Sequence, residues 1–161
     1  MRVGVITVSD RVSQGVVEDG SGAVLEELLR EDGYEVERRL VPDEQDQIAA
    51  AIVALAAETN CVITTGGTGL AARDVTPEAT ASVLTRIAPG IAEAIRADSI
   101  SKTPHGLLSR GTAGVVGATL VVNLAGSPGA CRDGYAVLRP ALTHALRLLA
   151  DQKSATDHVN T

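Results

Sequence analysis

Two aspartates and three loops rich in glycine or hydroxyl residues are the parts of this chain best suited to chemistry. Asp43 follows Pro42 at the end of an extended run, and Asp74 lies in the loop Thr65–Val75, which is too long and too rich in glycine for a plain connection. Paired carboxylates beside a phosphate site can hold Mg²⁺ and align an attack. Ser9-Asp10-Arg11, Thr65–Val75 and Gly126–Gly129 present backbone N–H groups, and two of these loops run into helices whose N-terminal partial charge suits phosphate. Both acids also have a structural reading: Asp43 suits a helix N-cap, and Asp74 before Val75-Thr76 suits an Asx turn. Thr76-Pro77-Glu78 is equally a helix start and a ligand contact. Arg11, Arg73 and Arg110 lie in or next to loops, where each serves either an anionic ligand or a solvated surface.

Other chemistries fit less well. Gly67-Thr-Gly69-Leu-Ala-Ala72 matches the G-x-G-x-x-A dinucleotide pattern after a strand. That turn needs a helix starting among the glycines, whereas Thr76 is the expected N-cap and Pro77 the first helical residue, several positions too late. A P-loop is excluded because no lysine follows the glycines. His105, His144 and His158 have no Ser, Cys or Asp arrangement of a catalytic triad. Cys61 and Cys131 have no His or Cys neighbours at ligand spacing and read as buried thiols.

The elements that must position these residues follow from periodicity. Arg2–Val8 is a β-branched run suited to a strand covered on both faces, and Val24, Leu25, Leu28 and Leu29 recur at helical spacing over 22–32. Residues 34–41 alternate as a half-exposed strand, Pro42-Asp43 starts a helix that turns Ile48, Ala51, Ile52 and Leu55 inward, and Cys61–Thr64 is the third strand. Helices follow from Thr76 and over Ile91–Ile100, separated at Pro89-Gly90. Arg110–Val116 and Thr119–Leu124 read as a hairpin turning at Gly117-Ala118, and a final amphipathic helix carries Val137, Leu138, Leu142, Leu146 and Leu149. The order β-α-β-α-β-α-α-β-β-α implies a three-layer α/β domain, with a mostly parallel sheet and one antiparallel hairpin, over residues 1–150. A polar tail, 151–161, follows, where regular structure is expected to fade. Ligands of such sheets bind beyond the carboxyl ends of the strands, where the three loops converge.

Composition narrows the function. The 161 residues are 45% hydrophobic and 21% charged, a globular ratio for one domain. With two Tyr, no Phe and no Trp, the core is aliphatic and no aromatic platform exists for stacking bases. A net charge of −6 with no basic run argues against nucleic acid as a partner. No apolar stretch approaches bilayer length and no signal-peptide core follows Met1, so a cytoplasmic protein is expected.

Thr7-Val-Ser-Asp10, Asp19-Gly-Ser-Gly22, Val41-Pro-Asp-Glu44, Thr64-Thr-Gly-Gly-Thr-Gly69, Arg73-Asp-Val-Thr-Pro-Glu-Ala79, Leu108-Ser-Arg110 and Gly126-Ser-Pro128 occur in an order and spacing that resemble one family. It is that of the molybdopterin adenylyltransferases of the MogA type in molybdenum-cofactor biosynthesis, related to MoaB proteins and the gephyrin G domain. The resemblance spans nearly all of the chain up to the polar tail. It implies a MogA/MoaB-like fold, commonly a homotrimer, that moves AMP from Mg-ATP to the terminal phosphate of molybdopterin and releases pyrophosphate, with hand-off of the product to a molybdenum-insertion protein.

By position, the resemblance implies catalytic roles for Asp43 and Asp74 with Mg²⁺ near them. It implies substrate-binding roles for Thr7, Ser9, Asp10, Asp19, Ser21, Gly66, Gly67, Thr68, Gly69, Arg73, Thr76, Glu78, Ser109, Arg110, Gly126, Ser127 and Pro128. Ala125 stands where the family usually has Pro, and Leu70-Ala-Ala72 differs from close relatives. MoaB-type members often lack the Arg73-Asp74 pair, so its presence here favours the MogA assignment. A molybdopterin carrier without adenylyl transfer is the alternative, and a gephyrin-like scaffold has no second domain here to support it.

Overall fold

The β-branched run at the start of the chain forms β1 (Arg2–Val8), and it sits between two parallel partners in the computed structural model. Backbone is described for residues 1–159 and side chains for 1–151. The chain continues as α1 (Asp10–Ser13), α2 (Gly20–Glu31), β2 (Glu35–Val41), α3 (Gln45–Glu58), β3 (Cys61–Thr65), α4 (Thr76–Val83), β4 (Arg86–Ile87) and α5 (Pro89–Lys102). A 3₁₀ turn (Pro104–Leu108), β5 (Ala113–Val116), β6 (Thr119–Leu124) and α6 (Pro128–Val159) complete it. The sheet order is β2-β1-β3-β6-β5-β4, with β5 alone running against its neighbours.

Strand periodicity sorts the core into two faces. Val3 and Val5, Cys61 and Ile63, and Leu120, Val122 and Leu124 face α2, α5 and α6, where they meet Leu25, Leu29, Ile95, Tyr135, Leu142 and Leu146. Ile6 and Val8, Val62, and Val121 face α3 and α4, where they meet Ile48, Ile52, Leu55 and Ala79. This is the expected three-layer αβα fold. Each buried Leu or Ile contributes about 1.5–3 kcal/mol, so a mainly aliphatic core holds the sheet, with the buried Tyr135 ring adding aromatic bulk on the α6 side. Cys61 and Cys131 are free and buried, as expected, and burial pushes their thiols up to about 12 and about 11.

The sheet register sets the site. Thr7 pairs with Thr65, and Thr65 with Leu124, so β1, β3 and β6 end side by side. Because β5 is antiparallel, with Ala113 opposite Val122, it begins at that same edge and delivers Ser109 and Arg110 to it. Behind the edge, buried Asn123 donates through Nδ2 to Thr64 Oγ1 and Thr80 Oγ1, each at 2.9 Å, and Thr80 Oγ1 donates to Thr76 O at 2.8 Å. These bonds tie β6 and β3 to the first turn of α4. Among the described residues no buried side-chain nitrogen or oxygen lacks a partner.

Several boundaries differ from the sequence reading for local reasons. The helix expected over 22–32 begins at Gly20, because Asp19 caps it by accepting from Gly22 N at 2.9 Å. The strand expected from Arg110 starts at Ala113, because residues 109–111 bond away from the sheet, with Arg96 donating to Ser109 O and Gly111 O at 2.9 and 2.8 Å. The short elements α1 and β4 are below the length at which periodicity signals anything; β4 pairs Arg86 with Val115 and Ile87 with Gly114. Past Ala150, where regular structure was expected to fade, α6 continues to Val159 through a segment with no Gly or Pro to stop it. Asn160 and Thr161 of the expected tail lie outside the described residues.

Candidate active site

The three loops do converge. A cleft of about 430 Å³ opens at the carboxyl edge of the sheet. Thr7, Ser9, Asp19, Ser21, Asp43, Gly66, Gly67, Asp74, Gly126 and Pro128 of the expected site residues line it, and Thr65, Glu18 and Arg11 join them. The first residues of α2 and α6, Gly20 and Pro128, are on its wall, so two helix N-termini face the same space.

The glycine turn makes this possible. Gly66 has φ +102° and Gly67 φ +66°, both in the left-handed region. A Cβ on Gly66 would stand 2.2 Å from Val8 O, and one on Gly67 would stand 2.3 Å from Thr76 Oγ1 and 3.2 Å from Asp43 Oδ1. Thr76 locks the turn, donating from Oγ1 to Gly66 O at 2.9 Å and from N to Gly67 O at 3.1 Å. Thr76 is therefore the first residue of α4 and not its side-chain cap; Val75 occupies the cap position without a side-chain bond. The late helix start anticipated against the dinucleotide motif is observed.

Asp43 and Asp10 clasp each other. Asp10 N donates to Asp43 Oδ2 at 2.8 Å, and Asp43 N donates to Asp10 Oδ1 at 2.9 Å. Arg73 donates to both oxygens of Asp10, at 2.5 and 3.1 Å, and to Glu44 Oε1 at 2.9 Å. Asp43 is thus not an N-cap; Glu44 takes that position in α3 with no side-chain bond. Its Oδ1 has no hydrogen-bond partner among the described residues. Burial, the largest influence, pushes the Asp43 carboxyl above the ordinary carboxylate range; the charges of Asp10 and Asp74 add to this, against the Asp10 N–H and Arg73. The hydrogen bond from Arg73 holds Asp10 below that range, aided by the Asp43 N–H.

Asp74 does not form the Asx turn anticipated from the sequence: Thr76 N donates to Gly67 O, and Asp74 Oδ2 instead accepts from Ala71 N, three residues before it, at 3.0 Å, while Oδ1 is left without a partner among the described residues. This local bond and the chemical reading of the residue are compatible. Asp19 is fully engaged: Thr7 Oγ1 donates to Oδ2 at 2.7 Å, Arg38 Nη2 donates to the same oxygen at 2.5 Å, and Gly22 N takes Oδ1. Burial raises the Asp19 carboxyl, but these bonds outweigh it and hold it low.

Some expected site residues do not line this cleft. Ser109 and Ser127 line a neighbouring cleft of about 200 Å³ with Arg96, Ser99 and Lys102, on the other side of the Gly126 loop. Ser127 Oγ accepts from Ala130 N at 3.1 Å and so caps the first turn of α6. Asp10, Thr68, Gly69, Arg73, Thr76, Glu78 and Arg110 line neither cleft and are bonded to one another or to the loop backbone. Of the three arginines weighed from sequence, Arg73 and Arg110 are paired, whereas Arg11 is on the cleft wall with no ion pair among the described residues. Arg11 is also the one cationic side chain on that wall. Its signal in the sequence was its adjacency to Ser9-Asp10.

Among the described residues, no group of three or more His, Cys, Asp or Glu side chains forms a metal cage, and no helix is long and apolar enough to cross a membrane. The paired open oxygens of Asp43 and Asp74 do suit Mg²⁺, which binds through one or two carboxylates and completes its shell with water and substrate phosphate.

Fold and cleft together define a three-layer α/β protein with a polar cleft at the carboxyl edge of the sheet. The chain belongs to the molybdenum-cofactor biosynthesis family described as "Probable molybdopterin binding domain", whose profile matches residues 4–144. It is 38% identical over 154 residues to the molybdopterin adenylyltransferase of Helicobacter pylori strain J99, covering 92% of this chain and 88% of the relative. The molybdopterin biosynthesis enzyme MoaB of Thermus thermophilus is 44% identical with a TM-score of 0.86, over 92% of this chain and 95% of that one. The Mog protein of Mycobacterium ulcerans is 41% identical with a TM-score of 0.87, over 92% and 98%. The family and fold inferred from the sequence motifs are borne out.

Two outcomes follow from this geometry. Gly66→Ala places a methyl group against Val8 O at a positive φ and is expected to lower unfolding stability by about 2–4 kcal/mol, read by urea denaturation. Because the Asp43 carboxyl is raised in the folded state, the native protein binds more protons than the unfolded chain between the two values, and stability falls as pH rises through that window. Asp43→Asn removes that penalty. Its melting temperature should exceed wild type by about 1–3 °C at pH 7, with the gap closing as pH is lowered toward about 4, measured by thermal melts across pH.

Proposed function

We propose that this protein is a molybdopterin adenylyltransferase acting on Mg-ATP. A terminal phosphate oxygen of molybdopterin attacks the α-phosphorus of ATP and forms a new P–O bond; the bond to the β-phosphate bridging oxygen breaks, and pyrophosphate leaves. One observation carries the reading: Asp43 and Asp74, from separate elements, stand on one cleft wall beside a glycine turn, each with an open carboxylate oxygen. The names of the relatives support it.

Transfer between two phosphates depends on alignment and charge neutralisation more than on a strong base. Asp43 and Asp74 would hold Mg²⁺, which when bound supplies positive charge to the phosphates. The N–H groups of Gly67 and Gly126, with the N-termini of α2 and α6, offer donors and partial positive charge to the phosphate chain. Arg11 is placed to meet its exposed end. Ser9 and Ser21 supply hydroxyls to the same cleft, and the Ser109–Ser127 cleft beyond the Gly126 loop offers a second recess for the other substrate. The reading takes residues 1–150 as one catalytic domain, working in the cytoplasm as a homotrimer and passing its product to a molybdenum-insertion protein.

A molybdopterin carrier without transfer is the second reading, favoured by the family's description as a probable molybdopterin binding domain. Purified protein incubated with molybdopterin and Mg-ATP distinguishes the two. Stoichiometric pyrophosphate and adenylylated pterin support the transferase, whereas tight pterin binding with neither product selects the carrier. Asp74→Asn, which is isosteric, is expected to lower turnover by at least 100-fold while fold and pterin affinity stay within twofold of wild type. Unchanged turnover removes Asp74 from the mechanism.

A further inference from the structure

Arg110 resembles a ligand-binding residue by position, yet its guanidinium points away from both clefts and into the loop that bears Asp74. Nε donates to Gly69 O at 2.8 Å, Nη2 donates to Asp74 O at 2.6 Å, and Nη1 pairs with Glu78. Its own backbone N donates to Thr68 O at 2.8 Å. Three carbonyls of one loop, at 68, 69 and 74, therefore converge on a single residue. The hydrogen bond from Arg110 holds the Glu78 carboxyl below its ordinary range, and Glu78 sits in the first turn of α4, so the fork is anchored at its far end.

Arg110 is itself braced. Arg96 of α5 donates from Nε to Ser109 O and from Nη2 to Gly111 O, the two peptides flanking Arg110. The result is a strut of two arginines running from α5 through residues 109–111 to the glycine loop. A planar guanidinium with its donors at fixed angles can span Gly69 O, Asp74 O and a carboxylate at once; a lysine ammonium of similar charge cannot. The backbone carbonyl of Asp74 is held at the same residue whose carboxylate faces the cleft.

We infer that Arg110 is a positioning residue, which fixes Asp74 for phosphoryl chemistry and does not itself bind substrate. The inference rests on the transferase reading above. A small displacement of a group aligning an in-line transfer is sufficient to cost one to two orders of magnitude in rate.

Arg110→Lys keeps the charge and loses the fork. In steady-state assays of the full-length protein at 25 °C, with folding checked by thermal melt, kcat is expected to fall about 10–100-fold while KM for ATP and for molybdopterin stay within threefold. A merely structural defect would lower the melting temperature without this split, and a ligand contact would raise KM. A rise of more than threefold in either KM, or a loss in kcat of less than fivefold, overturns the inference. Hydrogen exchange on the same variant gives a readout independent of activity, with amides of residues 69–74 expected to exchange at least tenfold faster than in wild type and β1 and β3 unchanged. Unaltered exchange there overturns the positioning role even if the wild type proves to be a carrier, whereas a wild type that releases no pyrophosphate defeats the transferase reading alone. If Arg110→Lys does not fold, Glu78→Gln, which removes the charge of the far anchor and keeps both carbonyl bonds, must show the same pattern at severalfold smaller size; kcat equal to wild type there counts against the inference.

Discussion

The close passage of the Gly66 backbone over Val8 O is the contact on which the remaining site geometry depends. With 2.2 Å between that oxygen and the position of a Cβ, only glycine lets β3 turn sharply off the sheet at this point. The turn leaves Gly66 O and Gly67 O facing Thr76, which fixes where α4 begins. It also brings Gly67 under Asp43 and packs the loop before α6 against the loop after β3 so closely that a Cβ on Gly126 would stand 3.1 Å from Gly66 Cα. A side chain at Gly66 would push these three loops apart, and the two acids would no longer share a wall.

Electrostatics explains why so many charged residues are needed around so small a cleft. Asp43 is partly buried near Asp10 and Asp74, an arrangement that disfavours its ionised form and primes it for a cation. The opposing charge nearby is kept out of the cleft. Arg73 is spent on Asp10 and Glu44, Arg38 on Asp19 and Glu26, and Arg110 on the loop carbonyls and Glu78. These arginines hold the frame rigid, and the wall keeps an unneutralised acidic pair with one open guanidinium, Arg11, at its side. Such a balance suits a metal-bound polyanion better than a free one, in line with the proposed Mg-ATP substrate.

Much of this was legible in the sequence because the pattern was unambiguous where burial is complete. β1, β3 and β6 are apolar runs with period-two partition, α2 and α3 carry clean helical spacing, and the glycine loop announced itself by length and composition. The convergence of three loops followed from parallel topology. What sequence could not separate was contact from support. Asp10, Asp19, Arg73 and Arg110 all stand in site motifs, yet in the fold their side chains are committed to backbone groups and to one another. Nothing in residue type distinguishes an arginine whose side chain meets a phosphate from one whose side chain meets two carbonyls and a carboxylate; only the path of the chain does. Likewise the shift of β5 to Ala113 depends on Arg96, thirteen or more positions upstream of the carbonyls it binds, which no local window reveals.

The proposed chemistry requires Asp43 and Asp74 to form one metal-nucleotide site. Calorimetric titration of ATP, with and without Mg²⁺, into wild type, Asp43→Asn and Asp74→Asn tests it most directly. Mg²⁺ is expected to strengthen ATP binding by at least tenfold in wild type, and either substitution to remove that gain. Metal-dependent affinity that survives intact in both variants would contradict it.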